Sequence, residues 1–210
     1  MTTRTITRTI AVVSAGLSNP SSTRLLADRL ATAAVAALRA RGDDATVEVV
    51  ELREHARDLA DALTAGFANA ELQAAVDTVV GADAVIAVTP VFSASYSGLF
   101  KTFVDVLDKD ALRGTPVLLA ATAGTARHSL VVEYAMRPLF AYLQAVPVPT
   151  GVFAAAEDWA GGGTDTALAG RIDRAAGELA DAVAARPVAA GPVDPFADPV
   201  TSFEELLKRR

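Results

Sequence analysis

The sequence predicts an α/β fold, a doubly wound parallel sheet with helices on both faces. Three observations carry this. Five short apolar segments alternate along the chain with helix-patterned stretches, the signature of βαβ units. One of the segments, Asp83 to Thr89 (DAVIAVT), is a nearly continuous β-branched run, as expected of a strand covered on both faces. The composition is rich in alanine and aliphatic residues with only 6% aromatics, which suits helices packed closely on a sheet.

Taken in order, Thr9 to Ala15 reads as the first strand and Ser22 to Arg41 as the helix after it. Thr46 to Glu51 is the second strand, and Asn69 to Gly81 a helix. Ala84 to Thr89 is the third strand. Pro90 is expected to stop it, because proline cannot supply a ladder hydrogen bond, leaving Phe92, Ser93, Ser95 and Tyr96 at the strand's carboxyl end. Leu99, Phe100, Phe103, Val104 and Leu107 recur at three- and four-residue spacing, giving a helix over Ser97 to Leu107. Val117 to Ala121 is the fourth strand, and His128 to Leu143 a helix in which Pro138 should produce a kink or unpaired carbonyls. A weaker strand lies around Val146 to Phe153, and Thr164 to Ala185 closes the domain as a helix. Right-handed crossovers then give a flavodoxin-like three-layer sandwich with strand order 2-1-3-4-5 and a crevice between the first and third strands. Residues 1–186 form this domain. Residues 187–210 read as a proline-rich tail whose Phe196, Phe203, Leu206 and Leu207 would dock on the body, on a neighbouring subunit or on another protein.

Composition excludes several functions. A net charge of −6 argues against sequence-independent nucleic-acid binding, which relies on Lys and Arg neutralising phosphates. The absence of cysteine removes disulfide scaffolds, thiolate catalysis and cysteine-ligated metals. His55 and His128 are the two histidines, with no HExxH and no clustered carboxylates, so no dedicated metal site is expected. No apolar run suits a signal peptide or a membrane span, and a cytoplasmic location is the expectation.

Three loops carry the chemistry. The first strand leads into Ser14-Ala15-Gly16-Leu17-Ser18-Asn19-Pro20-Ser21-Ser22-Thr23-Arg24. A helix start offers unpaired N–H groups and the positive end of its dipole, and the hydroxyls of Ser18, Ser21, Ser22 and Thr23 add donors around a tetrahedral anion. Arg24, one turn in, could add a charge-assisted contact. Ordinary capping by Ser21 or Ser22, with Arg24 solvated, is the competing reading. With Gly16 alone the loop fits neither GxGxxG nor the P-loop pattern, which leaves a monophosphate such as that of a flavin mononucleotide (FMN). Its ring would extend toward Pro90 to Tyr96. The third loop, Ala121 to His128, has small residues that let backbone N–H groups approach a planar ring, although Gly124 equally permits a simple turn. Donors there would stabilise negative charge on a reduced ring. His128 reads first as a capping or packing residue. Lys101 and Asp105, four apart on one helix, are positioned to pair or to face a subunit interface. No GxSxG elbow is present.

Together, AGLSNPSSTRLL, TPVFSASYSGLFKTFVD and LLAATAGTARHSLVVEYAMRPLF resemble the NADPH-dependent FMN reductase family, in particular flavin reductases that serve two-component, luciferase-like monooxygenases such as those for alkanesulfonates. The likeness covers roughly Thr9 to Phe153. It implies phosphate contacts from Ser18, Ser21, Ser22 and Thr23 with Arg24 adjacent, ring contacts from Pro90, Val91, Phe92 and Ser93, and a third wall from Thr122, Ala123, Gly124 and Thr125. Departures from the family pattern are Gly16-Leu17 with no arginine before Arg24, Phe92 where relatives carry Tyr, and Ala123-Gly124 in place of paired glycines. The resemblance also implies a homodimer or homotetramer, and the segment Val131 to Pro138 resembles a helix bearing interface contacts in the sulfonate-linked branch, with Tyr134 as an interface residue.

The implied activity is hydride transfer from NADPH, or NADH, to FMN, with reduced flavin passed to a partner monooxygenase. The alternatives are a flavin-retaining quinone or azo reductase and a non-enzymatic flavodoxin-like electron carrier. No 2′-phosphate clamp can be assigned among Arg113, Arg127 and Arg137, so the nicotinamide preference stays open.

Overall fold

The computed structural model describes residues 7–160 and 166–186. The tail at 187–210, with Phe196, Phe203, Leu206 and Leu207, lies outside the described residues. Strand β1 (Thr7–Ser14) leads to helix α1 (Ser22–Arg39) and strand β2 (Asp44–Glu51). A 3-10 turn at Leu52–His55 precedes α2 (Ala56–Ala65) and α3 (Ala70–Val80). Strands β3 (Ala84–Phe92) and β4 (Ser95–Tyr96) are followed by α4 (Gly98–Val106), β5 (Pro116–Ala123) and a 3-10 turn at Ala126–His128. A π-helical turn (Val132–Met136) runs into α5 (Arg137–Tyr142), after which come β6 (Val146–Pro147), β7 (Val152–Ala155), α6 (Glu157–Ala160) and α7 (Thr166–Ala184).

The parallel sheet runs β2-β1-β3-β5-β6, with β7 also on β5 and the short β4 antiparallel to β3. This is the expected order, with the expected fifth strand divided in two. After Pro147 the chain bulges through residues 148–151 and resumes pairing at Ala120↔Val152. Three of the bulge's backbone groups are satisfied by side chains. Arg137 donates to the carbonyls of Val148 and Pro149, and Glu178 on α7 accepts from the Thr150 N–H and hydroxyl.

Central strands β1, β3 and β5 are buried on both faces, as their continuous apolar runs demand. One face is covered by α1 and α7 through Leu26, Leu30, Leu38, Leu168, Leu179 and Val183. The other carries Leu59, Leu72, Phe100, Phe103 and Phe140 from α2 to α5. Each such side chain contributes about 1.5–3 kcal/mol of burial free energy. Arg8, 2% exposed, bonds Asp83 at 3.2 Å and the Arg186 carbonyl at 3.0 Å, fixing the end of α7 to the amino edge of the sheet.

Three expectations are corrected. Pro90 does not stop β3, which pairs with β5 through Pro90↔Thr122 and ends at Phe92. The Ala15 N–H donates to the Val88 carbonyl, so residues 88 and 90 face the β1 side, where β1 has already ended at Ser14. The missing N–H of Pro90 therefore costs no ladder bond. Second, His128 to Leu143 is not one α-helix. The N–H of Arg137 bonds to the Val132 carbonyl five residues back, and this wider turn resets the ladder so that Pro138 falls in the first turn of α5, where its N–H is not required. Third, the interval between Glu51 and Asn69, to which the sequence reading assigned no element, holds α2, anchored by Leu59 and Ala62.

Candidate active site

The loop between β1 and α1 is shaped by one close approach and one cap. A Cβ on Gly16 would collide with the Ser21 hydroxyl and press on Thr23, so only glycine lets the loop fold this tightly. Ser21 is the N-cap of α1, its Oγ accepting from the Arg24 N–H at 3.3 Å. Ser18 and Ser22 remain exposed at the mouth of the loop, above the unpaired N–H groups of the first turn. Thr23 turns inward: its hydroxyl, on a residue 2% exposed, meets that of Thr122 at 2.8 Å.

Arg24 is held elsewhere. Its guanidinium donates to Glu51 at 2.6 Å and to Asp28 at 2.7 Å, and these bonds, that to Glu51 first, raise its pKa above the ordinary arginine value. Glu51 also lies 3.9 Å from Arg53, which donates to the Ser18 carbonyl at 3.2 Å. The two cations nearest the loop thus brace it from behind through one carboxylate.

The middle loop is a hairpin. Ser93 and Ala94 occupy left-handed backbone conformations, φ 49° and 67°, between the paired residues Phe92↔Ser95 and Val91↔Tyr96. Thr89 closes its base: its hydroxyl donates to the Pro90 carbonyl at 2.9 Å and accepts from the Ser97 N–H at 3.0 Å. Ser97 in turn caps α4 by accepting from the Phe100 N–H at 3.1 Å. Phe92 is thereby presented half-exposed at the carboxyl end of β3.

At the end of β5, Ala123 and Gly124 follow the inward-facing Thr122, while Thr125 and His128 are exposed. The three loops enclose a cleft of about 890 Å³. It is lined by Ser18, Ser21, Ser22 and Thr23 from the first loop, Pro90, Val91 and Phe92 from the second, and Thr122, Ala123 and Gly124 from the third. None of the described residues that line it is ionisable. This lining suits FMN: hydroxyls and helix N–H groups for a phosphate, and apolar, small-residue walls for a planar ring.

A profile of the NADPH-dependent FMN reductase family matches residues 8–160. The chain belongs to this family. An "FMN reductase (NADPH)" of Pseudomonas aeruginosa is 41% identical over 150 residues, covering 71% of this chain and 78% of that protein. The NADH-dependent FMN reductase SfnF of Pseudomonas putida is 40% identical over 148 residues, covering 70% and 77%. Among solved structures, an oxidoreductase of Corynebacterium diphtheriae superposes with TM-score 0.83 at 51% identity, covering 86% of this chain and 99% of that one. An NADH:FMN oxidoreductase, EmoB, in its apo form, superposes with TM-score 0.74 at 27% identity, covering 86% and 92%.

Against the site residues read from the sequence, this FMN reductase family member brings all but three to the cleft. Arg24 is paired away from it, Ser93 forms the hairpin turn, and Thr125 lies beyond the lining. Lys101 and Asp105 pair with each other at 2.6 Å, which raises the Lys101 pKa. The sequence reading missed five wall residues, Leu17, Pro20, Leu25, Ala156 and Trp159, and the brace Arg53. The signal for Trp159 was position: it follows the carboxyl end of a parallel strand, where open sheets bind ligands. No described helix is long and apolar enough to cross a membrane.

Proposed function

We propose that the cleft binds FMN and that the chain is an NAD(P)H-dependent FMN reductase which releases reduced flavin to a separate monooxygenase. The observation that carries this is the convergence of the three loops on one cleft whose described lining holds no ionisable residue. Ser18, Ser21, Ser22 and the N–H groups of the first turn of α1 would hold the phosphate. Pro90, Val91, Phe92, Ala123 and Gly124 would flank the ring.

When bound, FMN accepts a hydride from the nicotinamide ring of NADPH or NADH at its N5. The protein needs no acid, base or nucleophile for that transfer. Its residues supply proximity and orientation, Phe92 by packing and the small residues of the third loop by admitting backbone N–H donors near developing negative charge. Because Arg24 and Arg53 are engaged by Glu51, the hydroxyls and N–H groups of the loop and the helix dipole would be the main hold on the phosphate among the described residues. Loose binding of this kind suits a flavin that must leave as product.

The exposed apolar and aromatic side chains of Leu130, Tyr134, Tyr142 and Val146, close together in sequence, support a homodimer or homotetramer with Tyr134, 78% exposed, in its interface. Normal assembly of Tyr134→Ala in analytical ultracentrifugation would count against this interface.

The deciding assay is steady-state oxidation of NADPH and NADH with FMN, FAD, riboflavin or a quinone as acceptor. Oxidation with FMN is expected, and no oxidation of either nucleotide with FMN sinks the reading. A flavin that copurifies and resists dialysis would instead favour a flavin-retaining reductase.

A further inference from the structure

A second concavity, of about 620 Å³, lies among α2, α3 and the end of α4 and shares no lining residue with the flavin cleft. Three large apolar side chains in it stay open to water: Phe67 is 74% exposed, Leu63 51% and Val80 38%. Scattered singly such residues need no explanation, but gathered in one concavity they mark a surface that takes a partner.

Three carboxylates line the same concavity, Asp77, Asp105 and Asp108. Asp105 is neutralised by Lys101 at 2.6 Å. Asp77 accepts from the neutral Gln73 at 2.8 Å, and neither it nor Asp108 has an ion pair among the described residues. The occupant that fits carries apolar side chains next to positive charge.

The chain itself holds such a segment. Residues 203–210 read FEELLKRR, with Phe203, Leu206 and Leu207 at three- and four-residue spacing and Lys208, Arg209 and Arg210 directly after them. The end of α7 also delivers the chain close by. Arg186 donates to the Asp83 carbonyl at 2.9 Å, and its own carbonyl accepts from Arg8, which holds the Asp83 carboxylate. Asp83 stands three residues past Val80, at most about 11 Å along the chain, whereas residues 187–202 can span up to about 50 Å when extended. Tethering at Arg186 gives the segment an effective concentration on the order of millimolar, an advantage that no free partner has.

We infer that this concavity is the docking site of the chain's own residues 203–210, with Phe203, Leu206 and Leu207 set against Leu63, Phe67 and Val80 and the basic triplet facing Asp77 and Asp108.

The absence of cysteine from the chain allows a direct test. In the full chain, Gln73→Cys in the concavity is combined with Ser202→Cys beside Phe203, and disulfide formation under mild oxidation is followed by mass spectrometry and non-reducing electrophoresis. Gln73 is exposed, so its replacement leaves the core intact. The control joins Ser202→Cys to Ala40→Cys, an exposed position next to Arg41, which bonds Asp181 near the end of α7 at 2.7 Å. The Gln73 pair should close within one chain at least about tenfold faster than the control pair. That advantage should vanish when Phe203→Ser and Leu207→Ser are added. It should fall with Asp77→Lys and Asp108→Lys, and return when Lys208, Arg209 and Arg210 are also changed to glutamate. High salt should weaken the charge-dependent part. Equal rates at the two positions, or an advantage indifferent to Phe203 and Leu207, would overturn the docking. Disulfide-linked dimers from the Gln73 pair would overturn it as well, by giving the concavity to the segment of a second copy.

Discussion

Thr23 on α1 and Thr122 on β5 share a buried hydrogen bond of 2.8 Å between their hydroxyls. It is the direct polar link between the phosphate loop and the third loop, made where both residues are almost fully enclosed. Valine matches threonine in shape but cannot bond. Thr23→Val or Thr122→Val alone strands a buried hydroxyl and should cost about 1–3 kcal/mol, whereas the double variant should lose less than the sum of the two. Urea denaturation of the four proteins measures this. Strictly additive losses would mean that the two hydroxyls do not act as a pair.

Gly16→Ala tests the close approach beneath the cap. Its methyl group would displace the Ser21 hydroxyl, removing the capping bond to the Arg24 N–H. Losing an N-cap costs about 1 kcal/mol, or roughly 2–4 °C in Tm for a chain of this size. FMN affinity should fall by about fivefold or more as the phosphate donors move. Fluorescence titration of FMN provides the readout, and unchanged binding would dissociate the loop from the phosphate.

Arg24 should matter more for the fold of this region than for flavin affinity. Its partner Glu51 is only 10% exposed on its side chain, so Arg24→Met leaves a largely enclosed carboxylate with Arg53 at 3.9 Å as its remaining cation. A stability loss of about 1–3 kcal/mol is expected. The FMN dissociation constant should change by less than about threefold, under 1 kcal/mol. A tenfold weakening of FMN binding with stability intact would place the guanidinium on the phosphate after all.

The sheet was legible in the sequence because β1, β3 and β5 are buried on both faces and therefore read as unbroken apolar runs. The three loops were legible because hydroxyls, proline and small residues concentrate where those runs end. What the sequence hid depended on distant partners. The fate of Arg24 was set by Glu51, 27 residues away, and Thr23 was drawn inward by Thr122, 99 residues away. Pro90 looked like a terminator because its tolerance depends on where β1 ends, and Trp159 gave no periodic signal within a helix as short as α6.

Ala94 is a strained residue in the hairpin that presents Phe92. A non-glycine residue in the left-handed region carries about 1–2 kcal/mol of steric cost, and glycine removes it while adding unfolded-state freedom. Ala94→Gly should therefore stabilise the protein by about 0.5–1 kcal/mol, seen as a raised Tm. If the strain serves to hold Phe92 in place, the same variant should weaken FMN binding. A lowered Tm would show that the turn gains more from the rigidity of alanine than it loses to strain.

Glu133 and Arg137 give the fold a pH signature below neutrality. Arg137 donates to Glu133 at 2.6 Å and 2.9 Å, and this hydrogen bonding holds the Glu133 carboxyl below its ordinary value of 4.5. A depressed folded-state pKa means that the pair contributes fully above the unfolded value and that its contribution disappears as pH falls through the folded one. Glu133→Gln should thus be less stable than the parent at pH 7. The gap should be about 0.5 kcal/mol or less, because both side chains are partly exposed and the pair is screened. It should narrow from about pH 4.5 downward and shrink in high salt. Urea midpoints at pH 7 and pH 3.5, with and without added salt, follow it. A gap that persisted at low pH would assign the effect to packing against the bulge at residues 148–151 and not to the charge.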